Sequence, residues 1–143
     1  ACRRAREQLD AAFGTWLRGR YAPLGGQRLP RPHHAWHVPH YIAYRRRQGG
    51  ADRVALLVLD GMSLADWAVI GPVWRARHPG WRMDEHLLLA QVPTLTSVSR
   101  QALVGGVRPA EFAGTLGHNR SEPRLWATFW AGEGLSAEAL LQR

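Results

Sequence analysis

Two residues of this 143-residue sequence have side chains and settings that suit reaction chemistry, Asp60 and Thr96. Asp60 directly follows the apolar run VALLVL, and Thr96 lies in the segment PTLTS, 36 residues further along the chain. Thr96 also stands where a helix is predicted to begin, and the free N–H groups of a helix start favour a phosphoryl oxygen or an alkoxide. A carboxylate and a hydroxyl in these settings are candidates for a reaction site.

Each of the two residues also has a purely structural interpretation. Asp60-Gly61 by itself is more often a simple turn, and Thr96-Ser97 can cap the helix that follows. The presence of both residues favours a reaction site over the structural interpretation, because the carboxyl ends of successive parallel strands meet at one rim of a sheet.

A parallel sheet is the element that has to bring the two residues together. Residues 53–59 form a continuous Val/Leu run between a Gly pair and Asp60-Gly61, which is typical of a buried parallel strand. A second strand is predicted for residues 86–91, and Pro93 ends it. The predicted fold class is therefore α/β, with a parallel sheet flanked by helices.

Helices are predicted around these strands. Ser63 and Asp66 form a capping-box pattern for a helix that runs toward Pro79-Gly80, with a kink at Pro72. A further helix runs from Thr96-Ser97 to Gly105-Gly106. Residues 107–121 are predicted to be a loop, and Ser121-Glu122-Pro123 then opens a helix with an aromatic face of Leu125, Trp126, Phe129 and Trp130, which predicts core packing.

The first 50 residues have a different character. Residues 3–18 predict an amphipathic helix with the apolar stripe Ala5, Leu9, Ala12, Phe13, Trp16 and Leu17. Residues 21–32 are rich in Pro and Gly and are expected to lack periodic structure. A short helix after Pro39 ends in Arg45, Arg46 and Arg47, before Gly49-Gly50. We place a domain boundary at residue 50, between a helical extension with a Pro/Gly/His-rich connector (1–50) and an α/β part (51–143).

Several of these motifs resemble the PglZ domain of BREX phage-defence systems, a branch of the alkaline phosphatase superfamily. The likeness lies in VLDGMS and PTLTSVSRQALVGG, and it continues in the WATFW stretch at 126–130. It is specific for residues 53–106 and weaker upstream, at Trp16, Tyr21 and His37-Val38-Pro39. The resemblance implies that residues 51–143 are the N-terminal half of an alkaline-phosphatase-like domain. The start without Met and the helical pattern that stops at AEALLQR predict that both chain ends are cut.

The resemblance also implies a mechanism and its participants. Asp60 would hold one of a pair of divalent ions, usually zinc, and Thr96 would lie against the metal as the nucleophile that forms a phosphothreonine intermediate. Ser97 at the helix start would stabilise phosphate oxygens, and Asn119 matches an Asn that contacts the phosphate in some relatives. The implied partners are other BREX defence proteins and DNA.

The chain departs from the family pattern in one respect. The remaining metal ligands of the family, an Asp-His pair and further Asp/His residues, have no match in this sequence. We therefore expect this chain by itself to be inactive as a phosphohydrolase.

Two further groups of residues have alternative interpretations. His33, His34, His37 and His40 have spacings that suit a metal, but no carboxylate or Cys completes a shell, so a structural role is favoured. The three arginines at 45–47 suit a phosphate, but a solvated helix end is the simpler interpretation.

Composition limits the classes of function. The net charge of +8 comes wholly from 19 Arg residues, which permits binding to polyanions, although a GC-rich genome also produces such a bias. The single Cys2 cannot form an internal disulfide, and no run approaches the ~18 apolar residues of a membrane span, so we expect a cytoplasmic protein that does not enter membranes. Two rivals to the enzyme remain open: a basic scaffold for DNA or other defence proteins, and a remnant without function.

Overall fold

The computed structural model describes residues 2–27, 30–49 and 53–140, and within them the chain is helical. A π-helical turn, Leu17–Tyr21, follows the first helix, and two 3-10 segments cover Pro109–Thr115 and Ala137–Ala139. None of the described helices is long and apolar enough to cross a membrane. The α-helices are α1 (Cys2–Trp16), α2 (Ala22–Leu24), α3 (His37–Arg47), α4 (Leu64–Arg77), α5 (Thr96–Gly105) and α6 (Glu122–Gly132).

The predicted α/β fold with a parallel sheet is wrong. The described residues contain no strand, and a single parallel bridge joins His34 to Leu89, where the Leu89 N–H donates to the His33 carbonyl at 2.9 Å. Both predicted strands, 53–59 and 86–91, lack regular structure and expose most of their leucines, with Leu57 at 75% and Leu87 at 79%. An apolar Val/Leu run forms a strand only where a neighbouring segment pairs with its backbone and covers its side chains, and the described residues supply no such segment here.

The helices that carry local signals are confirmed. In α4 the Ser63 hydroxyl accepts the Asp66 N–H at 3.1 Å and the Asp66 carboxylate accepts the Ser63 N–H at 2.8 Å, which completes the predicted capping box. Pro72 lies inside this helix. α6 begins at Glu122 with Pro123 in its first turn, and α3 ends at Arg47, as its arginine-rich end predicts.

The first helix forms where its periodicity predicts it. No residue of α1 is buried, and its stripe residues Leu9 and Phe13 are 70% and 59% exposed. The expectation that periodic structure stops at Tyr21 is wrong for the next residues, because α2 adds one more turn before Gly25. Residues 28 and 29 of this predicted linker lie outside the described residues.

A small core surrounds α5, which packs against both α3 and α6. Val98 and Ala102 are fully buried and contact Phe112, and the flanking apolar residues are Trp36, Val107 and Leu116. Trp130 of α6 is also buried, so the aromatic face predicted for this helix is confirmed as a packing surface. α5 is thus the most securely held element among those described.

α3 lies before residue 50 but contacts helices that follow it. The His40 ring nitrogen Nε2 lies 2.8 Å from the Gly106 carbonyl oxygen, and Arg46 donates to the Glu133 carbonyl at 3.0 Å. Arg47 forms an ion pair with the Glu133 carboxylate. Two of the three arginines at this helix end therefore bind Glu133, the residue that follows α6, whereas Arg45 donates to the Tyr41 hydroxyl at 3.2 Å. The boundary predicted at residue 50 falls among residues 50–52, outside the described residues, as do residues 1 and 141–143 at the ends.

Candidate functional site around the start of α5

Thr96 is the first residue of α5 rather than its cap. The N-cap is Leu95, which has an extended backbone and no side-chain capping bond, so the prediction that Thr96-Ser97 caps the helix is wrong. The chain enters helical geometry at Thr96 itself, which places this residue among the N–H groups that have no partner within the helix. The Thr96 side chain is exposed. Its hydroxyl is therefore available to a phosphate ester at the surface.

Asp60 reaches α5 through Arg100. The Asp60 carboxylate oxygen Oδ2 lies 3.8 Å from Nη1 of Arg100, while Asp60 and Gly61 form a turn with Gly61 at a φ of 74°. Arg100 lies one helical turn after Thr96, and residues at this spacing have Cβ atoms about 5–6 Å apart on one face. The structure therefore places Asp60 at the end of the Arg100 side chain of α5, and no regular strand positions it.

Arg100 is held by a second carboxylate, that of Glu122. Its Nε donates to Oε1 at 2.9 Å and its Nη2 donates to Oε2 at 2.7 Å, and the Glu122 side chain is 8% exposed. These hydrogen bonds raise the pKa of Arg100 above its ordinary value, and Asp60 adds to the effect. Neither Arg100 nor Glu122 was predicted to belong to the site. The position of Arg100, four residues after Thr96 in one helix, was the signal that could have found it.

Buried Gln101 ties the loop after residue 114 to the first half of α5. Its Nε2 lies 2.9 Å from the Ser97 carbonyl, 2.9 Å from that of Thr115 and 3.0 Å from that of His118. The Ser97 hydroxyl donates to the Leu116 carbonyl, so this group, predicted to bind phosphate, is already engaged as a donor. The loop is thereby fixed against the helix start.

Asn119 follows directly in this loop and is exposed. Its carbonyl accepts the Glu122 N–H at 3.1 Å, which links it to the start of α6. Thr96 and Ser97 thus lie in α5 itself, Asn119 lies in the loop bound to α5, and Asp60 contacts α5 through the Arg100 side chain.

The described side chains do not fit the pair of metal ions that the resemblance implies. Asp60 and Thr96 offer one carboxylate and one hydroxyl, and the carboxylate faces the Arg100 cation. Zinc sites take three or four protein ligands, and the described residues contain no group of three or more His, Cys, Asp or Glu placed to hold an ion.

The four histidines at 33–40 form packing contacts instead. His37 Nδ1 accepts the His34 N–H at 3.3 Å, the rings of His33 and His37 are 4.1 Å apart, and His40 reaches Gly106. Burial lowers the pKa of His34, and burial together with His33 and His34 lowers the pKa of His37 to about 4. Both rings are therefore neutral at pH 7.

Comparison with protein-family models, curated proteins and solved structures gives no significant match to this chain. The resemblance to PglZ domains accordingly rests on the motifs quoted above.

Proposed function

We propose that this chain carries the nucleophile of a PglZ-type phosphohydrolase, acting on phosphate monoesters or diesters in a BREX phage-defence system. One observation supports it most: an exposed Thr96 hydroxyl at the first position of α5 stands one turn from Arg100, which in turn contacts Asp60. A nucleophile, a cation and a carboxylate around a helix start are the groups that phosphoryl transfer uses.

The residues of this chain would have distinct tasks in the reaction. The Thr96 hydroxyl oxygen attacks phosphorus, the bond to the leaving oxygen breaks and that oxygen takes up the hydroxyl proton, and water later cleaves the phosphothreonine ester. The N–H groups of the first turn of α5 bind the non-bridging oxygens, and the Arg100 guanidinium, which Asp60 contacts and positions, offsets their charge. The two zinc ions implied by the resemblance would need ligands other than the described residues, and no step is assigned to them.

The activity test uses the protein that carries this sequence, supplied with zinc. It should release nitrophenol from p-nitrophenyl phosphate and from bis(p-nitrophenyl) phosphate, and Thr96→Ala or Asp60→Ala should abolish the release. Thr94→Ala, two residues before the nucleophile and also exposed, is the matched control and should keep the wild-type rate. Wild-type rates in both Thr96→Ala and Asp60→Ala would refute the proposal.

The net charge of +8 supports a second candidate function, a basic scaffold for DNA or for other defence proteins. DNA binding that weakens steeply with salt and is unchanged in Thr96→Ala, in a protein without esterase activity, would favour the scaffold. Loss of activity in Thr96→Ala favours the enzyme.

A further inference from the structure

A pocket away from Thr96 lies between the segment before α3 and α3 itself. Its volume is about 780 Å³, and a smaller pocket of about 180 Å³ adjoins it, since Gly25, Trp36 and Arg108 line both. Neither Thr96 nor Asp60 lines either pocket. A combined space of this size suits a small organic ligand rather than a metal ion.

The charged lining of the two pockets is one-sided. Arg108 lines both and Arg31 lines the larger, and the described lining residues include no Asp or Glu. The Arg108 guanidinium lies 5.1 Å from the centre of the Trp36 ring and donates to the Gly25 carbonyl at 3.2 Å. Among the described residues this is the one hydrogen bond of its five guanidinium N–H groups, and the pockets favour an anion.

Two buried polar groups of the smaller pocket have no partner in the described structure. His34 is 2% exposed and Gln91 is 3% exposed, and both line this pocket. The His34 Nδ1 and the Gln91 Nε2 make no hydrogen bond to any described residue. A buried polar atom left unpaired destabilises the fold, so a ligand oxygen that reaches either atom would be bound favourably.

Flat aromatic rings make up almost half of the residues that line the larger pocket. Trp36, Tyr41 and Tyr44 line it together with His33 and His37, and Tyr44 is 50% exposed. Aromatic faces and an arginine plane are surfaces on which nucleobases stack. A flat ring system therefore fits the larger space, and an oxyanion fits the smaller one.

We propose that this pocket pair, the Trp36–Arg108 pocket, binds a nucleotide. Its base lies against the rings of the larger space, and its phosphate lies at Arg108 beside His34 and Gln91. The ligand chemistry is the same for a free nucleoside monophosphate and for a nucleotide within a single strand, so the test separates the two sources. The inference does not depend on the proposed reaction at Thr96.

The test is isothermal titration calorimetry of the full 143-residue chain with adenosine monophosphate, adenosine, inorganic phosphate and a short single-stranded oligoadenylate. The monophosphate should bind at least tenfold more tightly than adenosine or phosphate alone, because both spaces contribute. Tighter binding of the oligonucleotide assigns the source to a strand, and equal or weaker binding assigns it to the free nucleotide. Equal affinity for inorganic phosphate and the monophosphate overturns the proposal.

Two variants make the site itself testable. Arg108→Ala should weaken monophosphate binding at least tenfold, whereas Arg124→Ala, an exposed arginine on α6, should not change it. Gln91→Leu should also weaken binding several-fold while leaving the fold at least as stable, because it removes an unpaired buried amide. Unchanged binding in folded Arg108→Ala and Gln91→Leu overturns the assignment. Thr96→Ala should bind the nucleotide normally, so the two proposals fail independently.

Discussion

At the scale of single residues, Arg100 connects the parts of the candidate site. It joins α5 to Glu122 of α6 through two hydrogen bonds and reaches the Asp60 turn at 3.8 Å. Because the Glu122 carboxylate is nearly buried, the stability of the folded protein depends on its pairing with the Arg100 guanidinium. Arg100 therefore has a structural task and, in the proposed reaction, a charge-offsetting one.

Replacing Arg100 should consequently cost stability as well as activity. Arg100→Ala leaves Glu122 buried and unpaired and should lower the free energy of unfolding by about 2 kcal/mol, less than for a fully buried pair because Arg100 is partly exposed. Urea denaturation followed by circular dichroism measures this change. Arg124→Ala should change it by less than about 0.5 kcal/mol. Equal stabilities of the two variants would mean that the Arg100–Glu122 pair contributes nothing.

His37 should give the protein a pH-dependent stability. Its pKa is about 4 when folded and 6.5 in a model peptide, chiefly because of burial, with the neighbouring His33, His34 and His40 also opposing protonation. Since the folded pKa is the lower one, the stabilising contribution is complete above pH 6.5 and is lost as the pH falls toward 4. The loss should be about 2 kcal/mol, discounted for the partial exposure of the ring.

Unfolding free energies measured between pH 7 and pH 4 check this prediction. His37→Asn should flatten the profile in that range. His78→Asn, at an exposed ring after α4, should retain the wild-type slope. A wild-type slope in His37→Asn would show that other groups cause the dependence.

At the scale of elements, the joint between α5 and α6 depends on a glycine. Gly106 ends α5 with a φ of 62°, and a Cβ built there would lie 2.7 Å from Cε2 of Phe129. Gly134 after α6 has a similar φ of 78° but no atom within 4 Å of a built Cβ. A side chain at Gly134 would meet backbone strain alone, whereas a side chain at Gly106 would meet both backbone strain and a steric clash.

Alanine at these two glycines should therefore have unequal effects. Gly134→Ala should cost about 1 kcal/mol from the left-handed backbone alone. Gly106→Ala should cost at least about 2 kcal/mol more, because Phe129 has to move out of the contact with α5. Thermal denaturation of both variants measures the difference, and similar melting temperatures would contradict the packing described for this joint.

The elements that sequence analysis predicted correctly are those with local signals. Ser63 and Asp66 are three residues apart, and their mutual hydrogen bonds define the start of α4. Pro123 lies in the first turn of α6 and marks the start of that helix. The sheet failed because pairing of residues 53–59 with another segment is not encoded in those residues alone. In the candidate site, the motif marked Asp60 and Thr96, but the contact between Arg100 and Glu122 spans 22 residues and no spacing rule predicts it.

At the scale of the whole molecule, burial is uneven. Val98, Ala102 and Gln101 of α5 are fully buried, whereas residues 53–92 expose many large apolar side chains, among them Leu57, Leu64, Val69 and Leu87, each at least 70% exposed. Exposed apolar side chains of this number favour association with other apolar surfaces. The described chain thus combines a packed part around α5 with a part that offers apolar surface.

Charged residues on the exposed part should reduce association without a loss of stability. Leu57→Lys combined with Leu87→Lys should shift sedimentation-velocity profiles toward the monomer and change the free energy of unfolding by less than about 0.5 kcal/mol. Val98→Ala, by contrast, should lower that free energy by about 2 kcal/mol. A strongly destabilised double-lysine variant would mean that these leucines are buried in solution.

The central claim is that Thr96 is a nucleophile toward phosphorus. Its most direct test is mass spectrometry of the protein that carries this sequence, quenched in acid after incubation with zinc and p-nitrophenyl phosphate. We expect a phosphoryl group on the peptide that contains Thr96, located at Thr96 by fragmentation, retained in Thr94→Ala and absent in Thr96→Ala. Two results together would contradict a nucleophilic Thr96. The protein would release nitrophenol without phosphate ever appearing on Thr96, and the Thr96→Ala variant would be as active as the wild type.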